Sequence, residues 1–282
     1  AVAGTATFAG LVDAAIIDGA NFKVNGGQGS DGQVLTSTGS GVAWEDASGG
    51  GGPTFKTFGT GSIMVGDDAT GTIDAANYNT ALGIDVFAAL TSGDENTAVG
   101  YRTLYATTSG YRATAVGYQA LLSNTDGNNV TAVGYQALMS NTTGGTSTAV
   151  GSHALQANTT GGGNIAMGLQ SLYNNTTGGD NTGLGYASLR SNTTASEITA
   201  VGNHSLYKNT TGAKNVAVGG RAMQNATTSD NNTMVGHQAG YDITTGSNNT
   251  GMGTSALENI TTGVSNVAIG NDAGKTAVTS ER

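Results

Sequence analysis

From residue 62 onward, apolar positions recur with a period that suits neither an amphipathic helix nor a simple alternating strand. Aligning the chain on Ala-Val-Gly puts the closing glycines at Gly66, Gly83, Gly100, Gly117, Gly134, Gly151, Gly168, Gly185, Gly202, Gly219, Gly236, Gly253 and Gly270, each step being 17 residues. Thirteen anchors without an insertion or deletion predict thirteen stacked coils of a solenoid, each contacting only its neighbours. The consensus reads Asn-Thr-Ala-Val-Gly-Tyr-Gln-Ala-Leu-x-x-Asn-Thr-Thr-Gly-x-x. Immediately before each anchor stands an apolar residue, as in Val65, Leu82, Val133, Met167, Val218 and Ile269, and two before it usually Ala or Gly, as in Ala132, Ala149, Gly183 and Gly251. Strand side chains alternate between faces, so these two rows point to opposite sides. Four residues after the anchor runs a second apolar row, including Leu104, Leu121, Leu138, Leu155 and Met223. The expectation is a core two ladders wide, with the Val row meeting the Leu row inside. The Ala and Gly face then becomes a contact surface on which backbones of separate copies approach closely.

Asn-Thr-Thr-Gly supplies a turn, because Asn and Gly tolerate left-handed backbone. Its stacked asparagines, Asn124, Asn141, Asn158, Asn175, Asn192 and Asn209, are placed to hydrogen-bond along the axis as a ladder. One helical turn over Tyr-Gln-Ala-Leu is the competing reading, but flanking glycines leave it little room. Two strands of roughly five residues and two turns use the length fully. Stacked at about 4.8 Å, thirteen coils make a rod on the order of 60 Å long.

The amino-terminal part reads differently. Residues 1–47 form a small β module with short strands around glycine turns and Trp44 as its large anchor, residues 48–53 a Gly-rich linker, 54–61 a transition, and 62–282 the thirteen-coil rod. Forty-seven glycines, one proline and 10% charged residues depart from globular composition, yet 37% hydrophobic content without a high charge density argues for order rather than a disordered tail. A net charge of −9 with no Lys or Arg run weighs against nucleic acid as a partner. The lack of cysteine removes disulfides and thiolate metal sites. No apolar stretch reaches the roughly 18 residues of a membrane span, and the start at Ala1 reads as that of a fragment or processed chain.

Candidate chemistry is sparse. Gly27-Gln28-Gly29-Ser30-Asp31-Gly32 has the spacing of a dinucleotide fingerprint, but strand-like Val34-Leu35-Thr36 follows where a helix is needed. Asn-x-Thr sequons at Asn141, Asn158, Asn175, Asn192, Asn209 and Asn225 sit where the repeat needs a turn. His153 and His204 share one repeat position three coils apart, too distant to share a metal, at a position whose other occupants suggest solvent. Paired acids Asp67-Asp68 and Asp94-Glu95 lie in turn segments, and no Gly-x-Ser-x-Gly elbow occurs. The chain therefore reads as a non-enzyme without cofactor or metal. Tyr101, Tyr118, Tyr135 and Tyr186 share the position after the anchor, and Tyr105, Tyr173, Tyr207 and Tyr241 another. The first four are candidate receptor-contact residues through stacking on sugars, with packing between coils as the alternative.

Three resemblances add to this reading. Asn215-Val216-Ala217-Val218-Gly219 and Asn266-Val267-Ala268-Ile269-Gly270 resemble the Asn-Ser-Val-Ala-Ile-Gly motif of YadA-type trimeric autotransporter heads, although those heads repeat at a shorter period. Thr131-Ala132-Val133-Gly134-Tyr135-Gln136-Ala137-Leu138 with Asn141-Thr142-Thr143-Gly144 is similar to repeats of phage tail fibres and bacterial fibre proteins. Gly32-Gln33-Val34-Leu35-Thr36-Ser37-Thr38-Gly39-Ser40-Gly41-Val42-Ala43-Trp44 resembles a module of phage fibre shafts. The resemblances imply an all-β, left-handed β-roll wound as a homotrimer, in a virion tail fibre that serves host attachment. The implied partners are further copies of the chain, other virion or appendage proteins, and a host surface glycan or protein. A bacterial cell-surface adhesin passenger is the alternative they leave open, and a glycan depolymerase a third.

Overall fold

The computed structural model describes residues 76–276 continuously and, before them, six strands. The chain divides into two compact units, Ala1–Thr54 and Phe55–Arg282. In the first, β1 (Lys23–Val24) pairs antiparallel with β2 (Gly27–Gln28). Likewise β3 (Gln33–Ser37) pairs antiparallel with β4 (Val42–Asp46), in a register that sets Leu35 opposite Trp44. Both runs are rich in residues that favour a pleated surface, and a Gly-Ser-Gly sequence separates them. Gly27 and Gln28 are themselves strand residues, which departs from the phosphate-binding turn of a dinucleotide fingerprint. The linker at 48–53 and the Asp67-Asp68 pair lie outside the described residues.

In the second unit, β5 (Thr54–Phe58) lies beside β6 (Ser62–Gly66) at one end of a fourteen-strand sheet. From β6 onward every strand is parallel and paired to the next in coil register: β7 (Thr80–Gly83), then one three-residue strand per coil from β8 (Thr97–Val99) to β18 (Val267–Ile269). Thr131, Ala132 and Val133 oppose Thr148, Ala149 and Val150, each pair 17 residues apart. The all-β solenoid read from the sequence is therefore the fold, with thirteen parallel strands, β6 to β18, in one wall.

The coil is built differently from the two-strand expectation. Only three residues of most coils are strand, and the rest turns. No helical turn forms at Tyr-Gln-Ala-Leu, because alternate residues take left-handed backbone: in one coil Gln136 has φ 54°, Leu138 φ 51° and Thr146 φ 53°. Left-handed backbone costs an ordinary residue about 1–2 kcal/mol. Burial of the leucine offsets it, and so does the hydrogen bonding this conformation permits. Gly134 and Gln136 donate their N–H groups back to Val116 and Tyr118, both at 2.8 Å, while Leu138 and Thr142 donate forward to Ala154 and Thr159 at 3.0 and 2.9 Å. Turn backbone thus pairs between coils almost as a sheet does.

The facing of the strand is the reverse of the sequence expectation. Ala98, Ala115, Ala132, Ala149 and Ala200 are fully buried, whereas the Val row is outward: Leu82, Met167 and Met252 are 50%, 45% and 44% exposed. The alternation was read correctly, but the larger side chain was assigned to the interior. Inside, the strand wall faces the Leu row closely enough that a Cβ added at Gly183 would meet Leu172 at 3.4 Å and Ser171 Oγ at 2.6 Å. At Gly183 even a methyl group fits only if the Ser171 hydroxyl moves. The core is therefore a leucine column against an alanine column rather than against valines.

Coil 11 shows how tight the interior is. Met234 occupies the alanine position, and Gly240 takes the leucine position in the same coil. A Cβ on Gly240 would lie 2.9 Å from Met234 Cγ, and one on Gly251, in the next coil, 2.6 Å from its sulfur. One flexible side chain thus fills the space of three, as methionine does in irregular cores.

The anchor glycines form a spine. Gly151 has φ +135°, and an added Cβ would sit 2.6 Å from the carbonyl oxygen of Gly168 in the next coil. Neither that backbone angle nor that clearance admits a side chain.

Candidate functional site

Aromatic rings line one of the outer walls. Tyr101 and Tyr118 stack at 5.3 Å between centroids, and Tyr118 and Tyr135 at 5.1 Å and 7°. His153 continues the row beside Tyr135 at 5.1 Å and Tyr173 at 6.2 Å. Arg190 lies over the Tyr173 and Tyr207 rings, Tyr207 packs edge-on to His204, and His204 to Tyr186. The coil repeat of about 4.8 Å matches ring stacking distance, so aromatic residues at one repeat position fall into a stack.

Four candidate receptor-contact residues are thus drawn into two stretches of one wall: Tyr101, Tyr118 and Tyr135 in the first, Tyr186 in the second. The rings of the first stretch face one another along the axis, so their outward parts are edges and hydroxyls rather than free faces. Arg102 closes its end, lying 5.2 Å from both the Tyr101 and the Tyr105 ring while its Nε is 2.9 Å from Asp85. The hydrogen bond that Arg102 donates to that carboxylate is the main cause raising its pKa above the ordinary value. His153 and His204 are half-buried in this wall rather than simply solvent-facing, and burial, with Arg221 nearby, lowers the pKa of His204. His237 is exposed.

The acidic turns are engaged between coils. A shallow open cleft of about 180 Å³ is lined by Asp94, Glu95, Tyr111 and Arg112 with Ser92 and Ser109. Within it Glu95 pairs with Arg112 at 2.6 Å, and Asp94 accepts the Asn77 N–H at 2.7 Å. Among the described residues no three His, Asp or Glu side chains gather as a metal site, and no helix is long and apolar enough to cross a membrane.

The expected asparagine ladder is present and wholly buried. Asn141, Asn158, Asn175, Asn192 and Asn209 each donate Nδ2 to Oδ1 of the preceding asparagine at 2.8 to 3.0 Å, and to a carbonyl three residues on. Burial puts these sequons out of reach of glycosylation in the folded chain. Asn225 differs, standing one position earlier in its coil, half-buried, with its Nδ2 3.0 Å from Asp242.

A second buried column went unread in the sequence. Asn79, Asn96, Asn164, Asn181, Asn215, Asn232 and Asn249 open their strands, and each donates Nδ2 to a carbonyl 14 residues on. Their Oδ1 atoms accept a backbone N–H one coil away, as from Asn181 to Asn164 at 3.0 Å. The signal was the first letter of the consensus, an asparagine that recurs next to the strand in most coils, where no turn was needed.

The other unanticipated surface is the outward side of the sheet, with its Thr row and Val row, described below. Comparison with family models, with curated proteins and with solved structures finds no match to this chain.

Proposed function

We propose that this chain is the shaft of a fibre, a homotrimer in a phage tail fibre that extends an attachment element towards the host and performs no catalysis. The observation that carries the reading is the uninterrupted register of the coils: strand after strand pairs at a constant 17-residue offset. A wall of this kind holds distance rather than enclosing a substrate. Self-association is supported by the thin interior, one leucine column flanked by alanine and by hydrogen-bonded asparagine, which buries little apolar surface for the chain's length. Its partners are copies of itself, neighbouring virion proteins, and a host surface glycan or protein meeting the Tyr101, Tyr118, Tyr135 and Tyr186 wall. The virion assignment leans on the resemblance of residues 32–44 to phage shaft modules. A bacterial adhesin passenger is the second reading, favoured by the Asn-Val-Ala-Ile-Gly strand at residues 266–270, and a membrane-anchor segment downstream in the gene would establish it. Sedimentation velocity with light scattering on the purified chain is the test. An elongated trimer is expected, and a compact monomer overturns the reading.

A further inference from the structure

The outward side of the parallel sheet carries two rows of side chains. One is threonine at most coils, with Ile63, Ile165, Val216 and Val267 in the others; the second holds only Val, Leu, Met or Ile. No Asp, Glu, Lys or Arg occurs at either row from β6 to β18, although the turns of the same coils carry Asp94, Glu95, Arg112, Glu197 and Lys214. In a chain of net charge −9, a face this free of charge is where copies can approach without repulsion. The side chains on it are solvent-accessible in the single chain: Leu82 is 50% exposed and Ile165 41%.

The dimensions suit an interface. Thirteen strands at about 4.8 Å by three residues at about 3.3 Å give a footprint of roughly 600 Å² before the ripple of the side chains is counted. That lies at the upper end of the roughly 300–600 Å² of the largest patch on a typical monomer, and approaches the roughly 800 Å² each partner gives to a standard interface. The pattern also selects the occupant. β-Branched side chains repeat along this face at the coil spacing, and a surface that interdigitates with it over its whole length needs the same spacing. A second copy of the chain has it.

We infer that the Thr/Val face of the sheet, and not the Ala/Gly side expected from the sequence, is where copies of this chain meet in the fibre. This rests on the self-association proposed above. The test compares the chain with Val133→Asp/Val150→Asp, which places two carboxylates on the face, and with Thr160→Asp/Thr177→Asp, which adds the same charge at exposed turn positions. Light scattering over a dilution series reads association, and far-UV circular dichroism reads the fold. The expected result is a trimer for the unmodified chain and for the turn variant. The face variant should show native-like dichroism with association weakened roughly 100-fold or more, as like charges set opposite one another do. A face variant that stays as trimeric as the turn variant overturns the inference while leaving the fibre reading standing. An unmodified chain that is monomeric overturns both. Should the double variant not fold, Val133→Cys provides the chain's sole thiol. Cross-linking by a short bismaleimide at Val133→Cys but not at Thr160→Cys supports the inference, and the reverse pattern overturns it.

Discussion

Two stretches of one interior column solve the same packing problem in opposite ways. From Asn124 to Asn209 the column is asparagine, linked by amide hydrogen bonds from coil to coil; beyond it stand Ala226, Ile243 and Ile260, equally buried and apolar. The junction is marked by an orphan, since Asn209 Oδ1 is buried without a hydrogen-bond partner where Ala226 replaces the next amide. The comparison teaches that the fold fixes neither the size nor the polarity of the side chain in this column, provided each residue is matched by its neighbours along it. A buried amide is tolerable only as a member of a satisfied row.

The largest expected effect concerns what the two stretches share. Gly151→Ala lies among the asparagine coils and Gly236→Ala among the apolar ones, and an added Cβ would come within 2.6 Å of Gly168 and Gly253 backbone respectively. Both should lose about 3 kcal/mol or more, read as a fall in thermal midpoint of similar size. If only one of them is disruptive, the spine is not common to both stretches. Next in size is Asn158→Leu, which keeps the branching of the side chain but removes both the amide donor to Asn141 and the acceptor of Asn175. It should cost about 2–3 kcal/mol through orphaned polar groups, against less than about 1.5 kcal/mol for Ile243→Leu in the apolar stretch. Equal losses in denaturant titrations would dissolve the distinction.

A finer probe is Ala226→Asn. It gives Asn209 a donor but moves the unpaired oxygen one coil on, so stability should change by less than about 1 kcal/mol. A large gain would mean that Ile243 is not the barrier it looks to be.

The smallest effect is expected with pH at the last coil. Hydrogen bonds from Ser255 and then Lys275 hold the Glu258 carboxyl below the ordinary carboxylate range, and Lys275 is raised by Glu258 and Asp272. A lowered carboxylate pKa adds stability that is complete above the unfolded value, about 4.3, and disappears as pH falls through the lower folded value. Amide protection, measured against the intrinsic exchange rate at each pH, should therefore fall in the coil ending near Lys275 at acid pH before it falls at Leu138, and a uniform fall would refute a local origin.

The period, the number of parallel strands and the first asparagine ladder were legible because each rests on identity between repeats, which sequence displays directly. The facing of the strand was not, because apolar size is a poor guide to burial in a narrow coil. The near-constant alanine marked the tight side, and the freely exchanged Val, Leu, Met and Ile marked the open one. The three-residue strand was hidden as well, since left-handed Gln136 and Leu138 belong to residue types that ordinarily avoid that backbone. Of the surface, the tyrosine positions were readable, but their stacking needed the coil rise, and His204 joins Tyr186 and Tyr207 only through contacts 3 and 18 residues apart.

The constant 17-residue offset also bears on how such a gene can change length. Removing or duplicating one repeat leaves every remaining glycine facing a glycine and every alanine facing the small interior, whereas one residue gained inside a repeat breaks the register of the coil that holds it. The solenoid is thus a ruler graduated in single coils of about 4.8 Å, which whole repeats lengthen or shorten with less disturbance than single residues do.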